Sequence, residues 1–184
     1  EKQSDIEVNQ RITLSEKDAK RQRQRESNIA SVFQEVPAPI QYQSKAWNRS
    51  DFDRQGLLIN ELSHQSPCLL KADFNKDGLE DVFIGGASVQ YASLYYQTDN
   101  QRFEKQEITA FEQDQLSEDS DAIAFDADGD GWLDIYVASG GYHLFTAGDL
   151  ALQDRLYIND GNGNFSKAKN AIPEIFNSTS CVVS

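Results

Sequence analysis

The chain has 184 residues, 39% hydrophobic and 10% aromatic, with a formal net charge of −13; that length supports one domain with a sizeable core, or part of a larger one. The charge is uneven: residues 1–25 hold seven Lys/Arg and five Asp/Glu, the remainder ten and twenty-five, so the acidic body suits cations and argues against a nucleic-acid partner. No stretch approaches the ~18 apolar residues that cross a bilayer, and Glu1-Lys2-Gln3-Ser4-Asp5 is polar rather than a signal peptide.

The first forty residues differ from the rest. "DIEVNQRITL" alternates weakly at Ile6, Val8, Ile12 and Leu14, which suggests a terminal strand or two. In "SEKDAKRQRQRE", Ser15 and Asp18 form a variant of a capping box, and no Gly or Pro follows before Val36. The expectation is a short polar helix or a linker. The basic run Lys17, Lys20, Arg21, Arg23 and Arg25 reads as a solvated face. "EVPAPIQY" then supplies an extended connector. Residues 1–40 are therefore expected to be an N-terminal extension and 41–184 a repeat region.

From about Trp47 onward the chain repeats. "CLLKADFNKDGLEDVFIGGAS" and "SLYYQTDNQRFEKQ" align with "AIAFDADGDGWLDIYVASGG" and "RLYINDGNGNFSKA", with Asp73 and Asp126 53 residues apart. Each unit reads as four short strands: 69–72, 82–84, 94–97 and 103–106, then 122–125, 135–138, 156–159 and 165–167. The second unit carries nine extra residues within "GYHLFTAGDLALQ", expected to form a surface loop, and "NDGNGN" is a hairpin signal. Four antiparallel strands at a period near fifty suggest one propeller blade per unit. The expected fold is all-β: a partial β-propeller of about two four-stranded antiparallel blades, near 66–112 and 119–172, with a short N-terminal strand or helix extension. "SCVVS" aligns with the start of a third unit, at 179–184. Propellers typically close with ~4–8 blades, so further blades are expected from a longer chain or another copy.

Both units place D-x-[DN]-x-D-G-x-x-D between their first two strands: Asp73, Asn75, Asp77, Gly78 and Asp81, then Asp126, Asp128, Asp130, Gly131 and Asp134. Alternate side chains of a tight loop can converge on one point, the glycine permits the turn, and Leu79 or Trp132 offers a backbone carbonyl. Hard oxygen donors in this number suit Ca²⁺ better than Mg²⁺. Position twelve is Ile84 or Val137, not the Glu of an EF-hand, and the flanks are β-prone. An Asx-rich turn that binds nothing is the competing reading; recurrence at matched positions and carboxylate repulsion argue against it. The second loop, with four carboxylates, is expected to bind more tightly than the first, and the metal to be structural.

Other constellations are weak. His64 and His143 lack HExxH spacing, and no G-x-S-x-G or P-loop motif occurs. Gly85-Gly86 and Gly140-Gly141 read as tight bends. "SEDSD" at 117–121 reads as a solvated acidic loop near the second unit's entry that could supplement its site. Tyr91, Tyr95, Tyr96, Tyr136, Tyr142 and Trp132 read mostly as core, with one or two left as a stacking surface. Cys68 and Cys181 are expected to be buried free thiols.

Together, "DGLEDVFIGGAS" and "DRLYINDGNGNF" resemble the FG-GAP/VCBS repeats, calcium-binding blades also found in integrin α-subunit propellers. The resemblance covers about residues 50–184. It implies calcium ligands at Asp73, Asn75, Asp77, Leu79 (carbonyl) and Asp81, and at Asp126, Asp128, Asp130, Trp132 (carbonyl) and Asp134. The stretch from "FDRQGLLINELS" through "ALQDRLYINDGNGNF" is similar to bacterial VCBS-repeat proteins of the cartilage-acidic-protein type. "DIEVNQRITLSEKDA" resembles the tail of an ASPIC/UnbV domain. The family implies an exported, surface or periplasmic protein. The leading expectation is a non-enzymatic binding or adhesion module for a protein or polysaccharide. The alternatives are the scaffold of a polysaccharide-acting lyase or hydrolase whose site lies elsewhere, and an architectural spacer.

Overall fold

The computed structural model describes residues 33, 35–45, 50–53, 56–59, 67–87, 89–99, 101–141, 145–177, 179, 181 and 182. The chain divides into two units, Glu1–Pro37 and Ala38–Ser184. The strand, helix, basic run and UnbV-like stretch expected before Val36 lie outside the described residues, as do His64, Tyr142 and His143.

Apolar, β-branched and aromatic runs between turn-rich loops build eight strands in the second unit. They are β1 (Leu69–Ala72), β2 (Asp81–Ile84), β3 (Ser93–Asp99), β4 (Arg102–Gln106), β5 (Asp119–Phe125), β6 (Asp134–Ser139), β7 (Arg155–Asn159) and β8 (Phe165–Lys167). They form two four-stranded sheets in the orders β1-β2-β3-β4 and β5-β6-β7-β8, every neighbour pair antiparallel. These are two blades of a partial propeller, and among the described residues they do not close into a barrel. Ala72 pairs with Asp81 and Phe125 with Asp134, so each acidic loop caps the first hairpin of its blade.

The core lies between the blades. Phe74, Phe83 and Leu94 of the first blade meet Ala122, Ile135, Val137, Tyr157 and Phe165 of the second. A five-residue helix, α1 (Thr109–Gln113), connects the blades. It was not expected from the sequence, and its Phe111 is the plug of the core. The Phe111 ring lies 5.6 Å from Phe83, 4.9 Å from Tyr157 and 5.9 Å from Phe165, centroid to centroid. The pairs with Phe83 and Tyr157 are edge-on, an arrangement worth ~0.5–1.5 kcal/mol beyond the buried area, and that with Phe165 is tilted.

Polar groups seal the same junction. Asp119 N–H donates to Gly86 O (2.9 Å), and Cys68 N–H donates to Asp119 O (3.3 Å). The Asp119 carboxylate accepts from Gly86 N–H (2.5 Å) and pairs with the Arg155 guanidinium at 2.5 Å, with both side chains at most 3% exposed. Arg155 also donates to Ser139 Oγ and Tyr157 Oη, and Tyr157 donates to Asp114. This corrects the reading of "SEDSD" as a solvated loop: Ser117, Glu118 and Asp119 are buried, and β5 begins at Asp119. The acid is buried because a guanidinium and a backbone N–H satisfy it. It sits at the opposite end of β5 from the acidic loop, so it cannot supplement that site.

Three further expectations are revised. Gly85 is needed for close approach rather than for a bend, because a Cβ there would lie 2.6 Å from Cys68 Sγ and 2.7 Å from Asp119 Cβ. The insertion is not purely superficial: its short 3-10 turn, Leu150–Leu152, buries Leu152. Cys181 is exposed while Cys68 is half-buried, and both are free thiols. Among the described residues, 181 and 182 join no strand. Among the described residues, no helix is long and apolar enough to cross a membrane.

Two outcomes follow from this packing. Phe111→Ala is expected to cost ~3–5 kcal/mol, the range for large aromatic truncation in a core, read as a lowered urea midpoint. The thiolate is the reactive species, and burial first, then the nearby Asp119 and Asp121 carboxylates, push the Cys68 thiol up to about 12. Alkylation at about pH 8 should therefore modify Cys181 in the native chain and Cys68 only after unfolding, as counted by intact mass.

Candidate metal centre

Each acidic loop is folded by its own carboxylates. In the second loop Asp126 accepts from Gly129 N–H (2.7 Å) and Gly131 N–H (2.9 Å), Asp128 from Asp130 N–H (3.1 Å), and Asp130 from Trp132 N–H (2.8 Å). Gly129 and Gly131 sit at φ +83° and +88°, where a side chain would strain the turn. In the first loop Asp73 accepts from Asp77 N–H (3.2 Å) and Gly78 N–H (2.9 Å), Asn75 from Asp77 N–H (3.0 Å), and Asp77 from Leu79 N–H (2.8 Å). Asn75 Nδ2 donates to Asp77 Oδ2 at 2.9 Å. Gly78 has φ +84°, and Lys76 occupies the left-handed region at φ +58°, where the second loop has a glycine.

Carboxylate oxygens of Asp126, Asp128 and Asp130 lie within 4.8 Å of one another, and all three residues are exposed. Like charges this close repel by about 1 kcal/mol per pair even at the dielectric of water. Each of these carboxylates keeps lone pairs beyond those its N–H partners use, so the trio fits a hard cation. In the first loop, Asn75 replaces the middle carboxylate and Asp73 and Asp77 remain.

The ninth position behaves differently. Asp81 and Asp134 are fully buried. Asp134 Oδ2 accepts from Ala127 N–H (2.8 Å) and Oδ1 from Asn159 N–H (2.8 Å). Asp81 does the same with Phe74 N–H and Gln97 N–H, both at 2.9 Å. Burial raises the Asp81 carboxyl above the ordinary value, against the lowering by those two N–H groups. Asp134 is thus not among the three clustered carboxylates. It and Asp81 tie the loop to the third strand of the blade.

Two residues with a role here were not singled out by sequence reasoning. Asn159, fully buried at the end of β7, donates from Nδ2 to Phe74 O (3.0 Å) in the first loop and to Leu133 O (3.2 Å) in the second. Its Oδ1 accepts from Gly161 N–H (3.0 Å), which fixes the amide orientation. Lys76 Nζ lies 4.0 Å from the centroid of the Trp132 ring. The only sequence signal was the register that places Asn159 at the position of Gln97, and "NDGNGN" read there simply as a turn.

A family model described as FG-GAP-like repeat matches the chain twice, over residues 73–137 and 126–184. No curated protein and no solved structure matches it.

The buried and exposed acids should separate in calcium-free buffer. Asp134→Ala leaves the buried Asn159 N–H without an acceptor, at about 1–3 kcal/mol for an unpaired buried donor, while the part-buried Ala127 N–H can turn to water. Asp128→Ala, at an exposed position, is expected to stay within about 0.5 kcal/mol. Urea unfolding with a chelator present reads both.

Proposed function

Because the chain belongs to the FG-GAP-like repeat family, we propose that its two acidic hairpin loops bind calcium and that the blades are a calcium-stabilised propeller segment of an exported protein. The observation that carries this reading is the convergence of Asp126, Asp128 and Asp130 within 4.8 Å at the matched position of a repeat. A bound dication neutralises carboxylates that otherwise repel. The chain's own contribution is to hold them: Gly129, Gly131 and Trp132 N–H groups orient the side chains, and buried Asp134 anchors the turn to β7. Asp73, Asn75, Asp77 and Asp81 play the matching parts in the first loop, one carboxylate fewer, and so with lower affinity. The role is structural, because the loop fastens the hairpin that starts each blade.

Further blades complete the assembly. Thr179 N–H donates to Ser139 O at 2.8 Å, repeating on the second blade the bond that Asp119 N–H makes to Gly86 O on the first. Gly86 and Ser139 are 53 residues apart, one repeat period. A blade starting at this point would dock as the second blade does on the first. The partner of the whole is a protein or a polysaccharide, bound outside the cytoplasm. A cavity of about 600 Å³ at the end opposite the loops, lined by charged and apolar side chains including Asp114, Lys167, Glu174 and Phe176, supports a binding role.

Calcium in hundredfold excess over Kd adds ~2.7 kcal/mol per site to a state that binds it. The melting midpoint should rise from chelator to millimolar calcium, and much less when Asp126, Asp128 and Asp130 are all changed to Asn. An unchanged midpoint in the parent chain would sink the proposal.

A further inference from the structure

The two loops are separate in sequence but share parts. One buried amide, Asn159 Nδ2, holds the carbonyl of Phe74, between Asp73 and Asn75, and that of Leu133, between Trp132 and Asp134. The backbone N–H of the same residue holds the Asp134 carboxylate. A second link runs along the surface. Trp132 packs on Gly161 so closely that a Cβ there would lie 2.4 Å from the indole. Lys76 of the first loop places its ammonium over the same indole and would meet a Cβ on Gly131 at 3.4 Å. Lys76 does so from a left-handed backbone, φ +58°, that glycine would adopt without strain and that the second loop assigns to Gly129. A non-glycine residue held in such a conformation points to a use for its side chain.

We infer that Asn159, Trp132 and Lys76 are positioning residues that couple the two loops, so that filling either one raises the affinity of the other for calcium. The inference rests on the calcium reading above. A cation that draws the carboxylates of one loop together shifts the turn that carries Phe74 O or Leu133 O, and with it the shared amide and the indole. The second cation then meets a loop already moved toward its bound arrangement. Coupling between sites is reciprocal, so the first loop, with Asn75 in place of a carboxylate, gains as large a factor as the second.

Calorimetric calcium titration of the full chain tests this. The affinity of the second loop is measured with the first intact and with the first disabled by Asp73→Ala and Asp77→Ala. Disabling the first loop is expected to weaken the second by at least about fivefold, the lower end of typical coupling. Lys76→Gly keeps the backbone conformation and removes the contact with Trp132, and Asn159→Ala removes the bridge; in each, the factor should shrink. If Asn159→Ala fails to fold, Lys76→Gly carries the test. Two binding events of unchanged affinity whether or not the other loop is intact would overturn the coupling while leaving calcium binding in place. A full factor that persists in Lys76→Gly and Asn159→Ala would overturn the assignment to these residues. No binding by either loop at millimolar calcium would overturn the calcium reading itself, and the inference with it.

Discussion

A buried carboxylate whose two oxygens each take a backbone N–H closes both acidic hairpins, and the rest of the structure is arranged around it. Asp81 and Asp134 are inside the protein, not on the loop surface. Each joins the second residue of its own loop to the third strand of its blade. A charge is tolerated there only because it is fully hydrogen-bonded. The consequence is positional: the exposed carboxylates of the loop converge because its base is bolted to the sheet. The acidic cluster is therefore a property of the blade as much as of the nine residues that carry it.

The blades in turn depend on how they meet. Phe111 reaches from the connecting helix into the space between the sheets and touches rings from both. At the opposite end from the loops, the Asp119–Arg155 pair and the closely packed Gly85 align the first strands of the two blades. A buried ion pair of this kind is costly to break from one side, since the remaining charge is left unpaired. The junction thus has an apolar centre and two polar ends. One end is the Asp119 network, and the other is the Asn159 amide between the loops.

That arrangement joins architecture to chemistry. Strands β1 and β5 start at the Asp119 network and finish at an acidic loop. The Trp132 indole and the Lys76 ammonium extend the contact to the surface at the loop end. Local turn geometry and blade packing are therefore two aspects of one constraint.

The repeat, the eight strands and the acidic loops are legible in the residues alone, because each follows from local pattern: apolar alternation, a glycine after the third acidic position, and a fixed period between Asp73 and Asp126. The sequence also placed the carboxylates of Asp126, Asp128 and Asp130 in one turn, since alternate residues of a tight loop face the same way. It did not separate Asp134 from those three, because the motif holds only the residue type, while burial comes from β7 lying beside it. Asp119 read as solvated for the same reason: Arg155, which makes its burial tolerable, is 36 residues away. Phe111 and Asn159 were similarly silent, one in a helix too short to show a period, the other in a stretch that resembles any turn. Which groups face each other across the blade junction emerges only on packing, because those contacts join residues that no local spacing relates.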